Sequence, residues 1–181
     1  MLSRLYEPSE EPQVMLFLNV ATLERYWEGV VPHLVERTIS VAGSLAALCT
    51  EQRLPVGLVA NAYWPGSDQA MRLLPGRSPN QLMRILEMLA AIDLPNRSIE
   101  AQLLREAPKL PWGATLVVVT AVAHEALLEA MLQLAHARRK LVLFTLAEAP
   151  PERLLPGIKV VHLPHLVEDI IVPQMAVEAG V

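Results

Sequence analysis

Val14-Met15-Leu16-Phe17-Leu18-Asn19-Val20 is apolar at consecutive positions, with a single polar residue near its end. A strand of this kind has both faces covered, as strands do in a parallel sheet whose crossover helices lie above and below. Four further runs are expected to be strands of the same sheet: Val56 to Ala60, Thr115 to Val119, Leu141 to Leu146 and Ile158 to Val161. The stretches between them have helical spacing. Pro32 to Glu51 sets Leu34, Val35, Ile39, Ala42, Leu45, Ala46 and Cys49 on one stripe, and Pro32 falls in the first turn, where a missing amide hydrogen costs nothing. Ser78-Pro79-Asn80-Gln81 has the form of a capping serine, a first-turn proline and a glutamine at the third helical position, predicting a helix from Pro79 to about Ile92.

Ser98 is placed to cap a shorter helix through Glu106, with Glu100 near its positive end. Another helix is expected from Ala123 to Arg138, followed by Arg139 and Lys140 at the carbonyl end. Ala70 to Leu74 is a candidate edge strand. Leu166, Val167, Ile170 and Ile171 suit a final short helix packed on the sheet and ended by Pro173. Strand and helix alternate throughout, with prolines at the boundaries and no repeat or low-complexity linker. The expectation is one three-layer, Rossmann-like α/β domain over 1–181, its central sheet mostly parallel, with 1–12 as lead-in and 162–181 as helix and tail.

At 181 residues the chain is long enough to bury a core without a covalent or metal staple. Its one cysteine, Cys49, excludes a disulfide framework and a thiolate zinc site and fits a reducing, cytoplasmic setting. Fifteen basic against 19 acidic side chains, a net charge of −4, argue against nucleic acid or anionic lipid as the main partner. No uninterrupted apolar run reaches membrane-spanning length, so direct membrane insertion is not expected. The 52% apolar content leaves a homodimer open.

Ligands of open parallel sheets bind beyond the carboxyl ends of the strands. The residues there are Asn19-Val20-Ala21-Thr22-Leu23, Asn61-Ala62-Tyr63-Trp64 and Thr120-Ala121-Val122, polar but without a carboxylate. Neither GxGxxG nor GxxxxGK occurs, which argues against a dinucleotide or nucleoside triphosphate. GxSxG is also absent, and Ser44 belongs to the long helix. Cys49 lies on that helix's apolar stripe and reads as a small, inert hydrophobe. His162 and His165 are three apart but lack an evident third ligand, and His124 stands alone near a strand end. Trp27, Trp64 and Trp112 lie at element boundaries, where they either cover the core edge or anchor a partner.

Several words in order carry a family likeness. They are Tyr6-Glu7-Pro8, Leu18-Asn19-Val20-Ala21-Thr22, Tyr26-Trp27-Glu28-Gly29-Val30 and Glu36-Arg37-Thr38-Ile39-Ser40-Val41-Ala42. Val56-Gly57-Leu58-Val59-Ala60-Asn61, Leu74-Pro75-Gly76-Arg77, Ile85-Leu86-Glu87-Met88-Leu89-Ala90 and Gly113-Ala114-Thr115-Leu116-Val117-Val118-Val119-Thr120 continue the series. With these the chain resembles the carboxy-terminal, von Willebrand factor A-like module of the domain of unknown function 58 family. The resemblance implies an excised domain whose parent is membrane-anchored, and a protein partner of the MoxR-type AAA+ ATPase class in assembly or maturation. It implies no enzymatic activity.

The resemblance also implies a metal-ion-dependent adhesion site, whose Asp-x-Ser-x-Ser word falls on Asn19, Ala21 and Leu23. Its later hydroxyl falls on Ser98, and its last aspartate on Ala121 beside Thr120. Magnesium needs oxygen ligands, with carboxylates offsetting its dehydration, and both carboxylates are missing. What remains is Asn19, Thr22, Ser98 and Thr120, all neutral, so the site is expected to be degenerate and no cofactor is expected. The expected function is a non-enzymatic protein-interaction module with Tyr26, Trp27 and Trp64 as contacts. The alternative is a small-molecule-binding or enzymatic domain using Asn19, Asn61, Thr120 and His124 at the same rim.

Overall fold

In the computed structural model, which describes residues 12–164, the apolar runs become neighbouring strands of one sheet. The strands are β1 (Val14–Asn19), β2 (Val56–Tyr63), β3 (Ala70–Gly76), β4 (Thr115–Thr120), β5 (Lys140–Thr145) and β6 (Ile158–His162). The helices are α1 (Pro32–Glu51), α2 (Gln81–Ala90), α3 (Ile99–Glu106), which runs on into a short 3-10 turn, and α4 (Glu125–His136). The strand order is β3-β2-β1-β4-β5-β6, parallel except for β3, which pairs antiparallel with β2.

Consecutive apolarity in β1 is explained by the two layers that flank it. Leu16 and Leu18 face a core shared with Leu58, Val119 and the inward residues Ala42 and Ile85 of α1 and α2. Met15 and Phe17 face the other core, with Val118, Leu103 of α3 and Met131 of α4. All four β1 side chains are at most 1% exposed, so each contributes roughly 1.5–3 kcal/mol of hydrophobic stabilisation. The crossover through α1 carries the chain from β1 to β2, and that through α4 carries it from β4 outward to β5. The connections therefore diverge between β1 and β4, leaving a crevice at the carboxyl ends of these two strands.

The element ends differ from the sequence reading where local hydrogen bonding competes. α2 begins at Gln81, because Ser78-Pro79-Asn80 forms a turn closed by the Gln81 amide on Ser78 O at 2.9 Å. The Gln81 side chain does not cap the helix. Its Nε2 donates to Val56 O at 2.7 Å and Leu74 O at 2.9 Å, where the β2–β3 register is irregular. Gly57 lies at that irregularity, and a Cβ on it would stand 2.5 Å from Leu73 O and 2.6 Å from Pro75 N. Only glycine permits so close a backbone approach.

α4 stops at His136, two residues short of the expected Arg138, whose left-handed φ of 59° ends the helical path. β2 runs on to Tyr63 because β3 pairs with its extension. The expected edge strand is present as Ala70–Gly76, with Pro75 tolerated at the sheet margin. The expected helix containing Leu166 to Ile171, and the word Tyr6-Glu7-Pro8, lie outside the described residues. Among the described residues no helix is long and apolar enough to cross a membrane.

Glu106 at the end of α3 is only 3% exposed and ties α3 to the sheet edge. Arg72 Nε of β3 lies 2.7 Å from one carboxylate oxygen, and Lys109 Nζ and Arg105 Nε lie 3.0 and 3.1 Å from the other. Burial pushes this carboxyl up, but the Lys109 hydrogen bond, the charges of Arg72 and Lys109 and the Arg105 hydrogen bond outweigh it. Together they hold the carboxyl below its ordinary value.

Candidate functional site

Three strand ends meet at the crevice, and each contributes one neutral polar side chain: Asn19 from β1, Asn61 from β2 and Thr120 from β4. All three are at most 1% exposed. Asn19 Nδ2 donates to Thr120 Oγ1 at 3.0 Å, and Asn19 Oδ1 accepts from Asn61 Nδ2 at 2.9 Å and from the Ala21 amide at 3.1 Å. Asn61 Oδ1 accepts from the Val20 amide at 2.7 Å, while Asn61 Nδ2 also donates to Arg97 O at 3.1 Å. Thr120 donates its hydroxyl hydrogen to Val122 O at 2.7 Å and accepts from the Val122 amide at 3.2 Å. The register places Asn19 directly beside Thr120, which is why the residue closing each run can reach its neighbour.

The adhesion-site positions do not fit a magnesium ion. Asn19 Oδ1 and Thr120 Oγ1 each already accept two hydrogen bonds, Ala21 and Ala121 supply no side-chain oxygen, and no carboxylate joins the group. Thr22, 2% exposed, is committed elsewhere, accepting from the Val31 amide at 2.6 Å and holding the β1–α1 connection. Ser98 precedes α3 in an extended conformation at the N-cap position, without a side-chain capping bond. Among the described residues no group of three or more His, Cys, Asp or Glu side chains could hold a metal ion.

Above this network opens a cleft of about 440 Å³. Asn19, Ala21, Asn61 and Ser98 lie on its floor and wall, and Tyr26 and Trp27 bound it from the β1–α1 connection. The two aromatic rings meet edge to face at 5.0 Å, and Trp27 is 66% exposed. Trp64 is not brought to the cleft; it packs against the α1–α2 core, with its amide bonded to Gln69 O in the β2–β3 hairpin. Thr120 and Ala121 lie behind the cleft floor as part of the buried strand end.

The mouth carries residues to which the strand-end reading gave no role there: Glu24 and Arg25 after β1, Glu100 in the first turn of α3, and Glu125 and Glu129 on α4. Their signal was positional. Glu100 and Glu125 sit in first helical turns, where a carboxylate favours the helix dipole, and both helices start at this rim. His124 precedes α4, and its Nε2 lies 3.2 Å from Glu100 Oε2, linking the two helix starts. Its Nδ1 is buried and has no partner among the described residues. Away from the rim, His162 Nε2 lies 2.7 Å from Ala147 O, and His165 lies outside the described residues. Cys49 is buried in the α1–α2 core, and burial pushes its thiol up, away from the reactive thiolate.

Fold and cleft together define the class: a Rossmann-like α/β domain with a crevice at the point where its connections diverge. No protein-family model and no curated protein matches the chain.

Proposed function

We propose that this domain is a non-enzymatic protein-interaction module whose rim is a degenerate metal-ion-dependent adhesion site. On this reading the rim recognises a protein partner without a bridging cation. The carrying observation is the closed Asn19–Asn61–Thr120 network, in which the oxygens available to a metal already hold the strand ends together. The resemblance to the von Willebrand factor A-like module of the domain of unknown function 58 family supports this reading. It also suggests the partner class, a MoxR-type AAA+ ATPase in assembly or maturation, with a cytoplasmic domain tethered through a membrane-anchored parent.

The test is a photo-reactive amino acid placed at Tyr26 or at Trp27, and at Arg53 beyond the far end of α1 as control. Adducts to a distinct protein in the native cell from the two rim positions only are the expected result. Equal adducts from Arg53, or none from the rim, defeat the proposal.

The contact between His124 and Glu100 inside the cleft favours a second reading, a small-molecule or catalytic site at the same rim. A thermal-shift panel of nucleotides and common metabolites separates the two. A ligand at a hundred times its Kd stabilises the fold by about 2.7 kcal/mol, and such a response would favour the second reading.

A further inference from the structure

We infer that the cleft receives an arginine-bearing basic segment of a partner protein, an inference that rests on the interaction reading above. Four glutamates, Glu24, Glu100, Glu125 and Glu129, line the mouth against one guanidinium, Arg25. From outside the cleft, Arg153 pairs with Glu125 and stands 4.0 Å from Glu129, while His124 Nε2 lies 3.2 Å from Glu100 Oε2, so four carboxylates at the mouth face two guanidinium groups, Arg25 and Arg153. Tyr26 and Trp27, which follow Glu24 and Arg25 in the chain, add an aromatic surface to the same cleft. Arg25 stacks over Trp27 with its guanidinium carbon 5.8 Å from the ring centroid, so within this chain the indole already binds the kind of group a partner would bring. Trp27 remains 66% exposed, which leaves surface for a second planar cation.

Charge complementarity selects among occupants. An acidic peptide or a free anion would meet the four carboxylates, and among the described residues no metal-binding group turns them into a cation bridge. A second copy of this chain, docked through the same face about a twofold axis, would set this acidic mouth against itself. A guanidinium meets neither objection. Its planar fork can bond a carboxylate while its face lies on an indole, which an ammonium cannot do.

The probe is the peptide acetyl-Gly-Arg-Ser-Arg-Gly-amide, titrated at low salt into the ¹⁵N-labelled full chain. The Trp27 indole N–H is followed, with the peptide's citrulline and glutamate counterparts as controls. A saturable shift of that resonance is expected, at least tenfold weaker with citrulline and absent with glutamate. Each exposed charge pair is worth about two- to fivefold, so Glu24→Gln/Glu100→Gln/Glu129→Gln should weaken binding about tenfold. Trp27→Ala, followed on the Ala126 amide, should weaken it independently.

Equal binding of citrulline, a shift that survives the triple substitution in a protein of unchanged melting temperature, or no shift at millimolar peptide overturns the inference. If rim cross-linking captures a distinct protein while the arginine peptide gives no shift, this inference fails and the interaction reading stands. If cross-linking yields nothing, or only a second copy of the chain, both fail.

Discussion

Replacing Asn61 by alanine tests whether the rim is held by its amide network. Asn61 is fully buried and makes three hydrogen bonds, to the Val20 amide, Asn19 Oδ1 and Arg97 O. Alanine cannot replace any of them. Asn19 Oδ1 keeps the Ala21 amide, but the Val20 amide, on a residue with no exposed surface, loses its acceptor, and Arg97 O loses a donor. An orphaned buried polar group costs about 1–3 kcal/mol, so two of them give a loss of roughly 2–5 kcal/mol once partial relaxation is allowed. For a domain of this size that is a fall in Tm of roughly 4–20 °C.

Urea unfolding followed by circular dichroism gives the free energy, and hydrogen exchange at the Val20 amide reports the bond itself. Loss of stability together with faster Val20 exchange is the expected pair. A change below about 0.5 kcal/mol, the usual range for an unimportant surface position, would refute the idea that the network clamps the strand ends.

Three further outcomes follow from the same structure. Magnesium up to 10 millimolar, an ample concentration for ordinary divalent sites, should leave the wild-type melting curve within about 1 °C by differential scanning fluorimetry; a saturable rise would show that the strand-end oxygens are available to a cation after all. Gly57→Ala should destabilise by about 1–3 kcal/mol, because the added methyl meets backbone atoms of β3 that cannot swing aside, and denaturant midpoints measure it. Glu106 should contribute to an acid-side loss of stability. Its folded pKa lies below the ordinary 4.5, so its stabilisation is present above that value and disappears as pH falls through the folded one. Glu106→Gln should therefore lower stability at pH 7 and flatten the profile below about pH 4.5 in pH-dependent urea titrations.

The layered fold was legible because β1, β4 and their neighbours are apolar on both faces, a pattern that only doubly covered strands sustain. Register was also partly visible: Asn19, Asn61 and Thr120 each sit at or near the end of an apolar run, so strands in step bring them together. Other features depend on contacts that a linear reading does not contain. Gln81 looks like a capping residue by spacing, yet the irregular ladder beside Gly57 offers it two carbonyls at shorter range. Trp27 and Trp64 look alike as boundary tryptophans, and only the tertiary path sends one to the cleft and the other to the core. The acidic mouth is not legible in the linear sequence because its members are spread from Glu24 to Glu129, each with a local explanation as a helix or loop carboxylate.

The clasp formed by two amides and one hydroxyl carries no net charge and has no proton to lose in the physiological range. Changes of ionic strength or acidity therefore pass it by, and the three strand tips keep their spacing from one cellular condition to another. Whatever responsiveness the domain has must come from the ionisable groups ringing the opening, on a base that does not titrate with them.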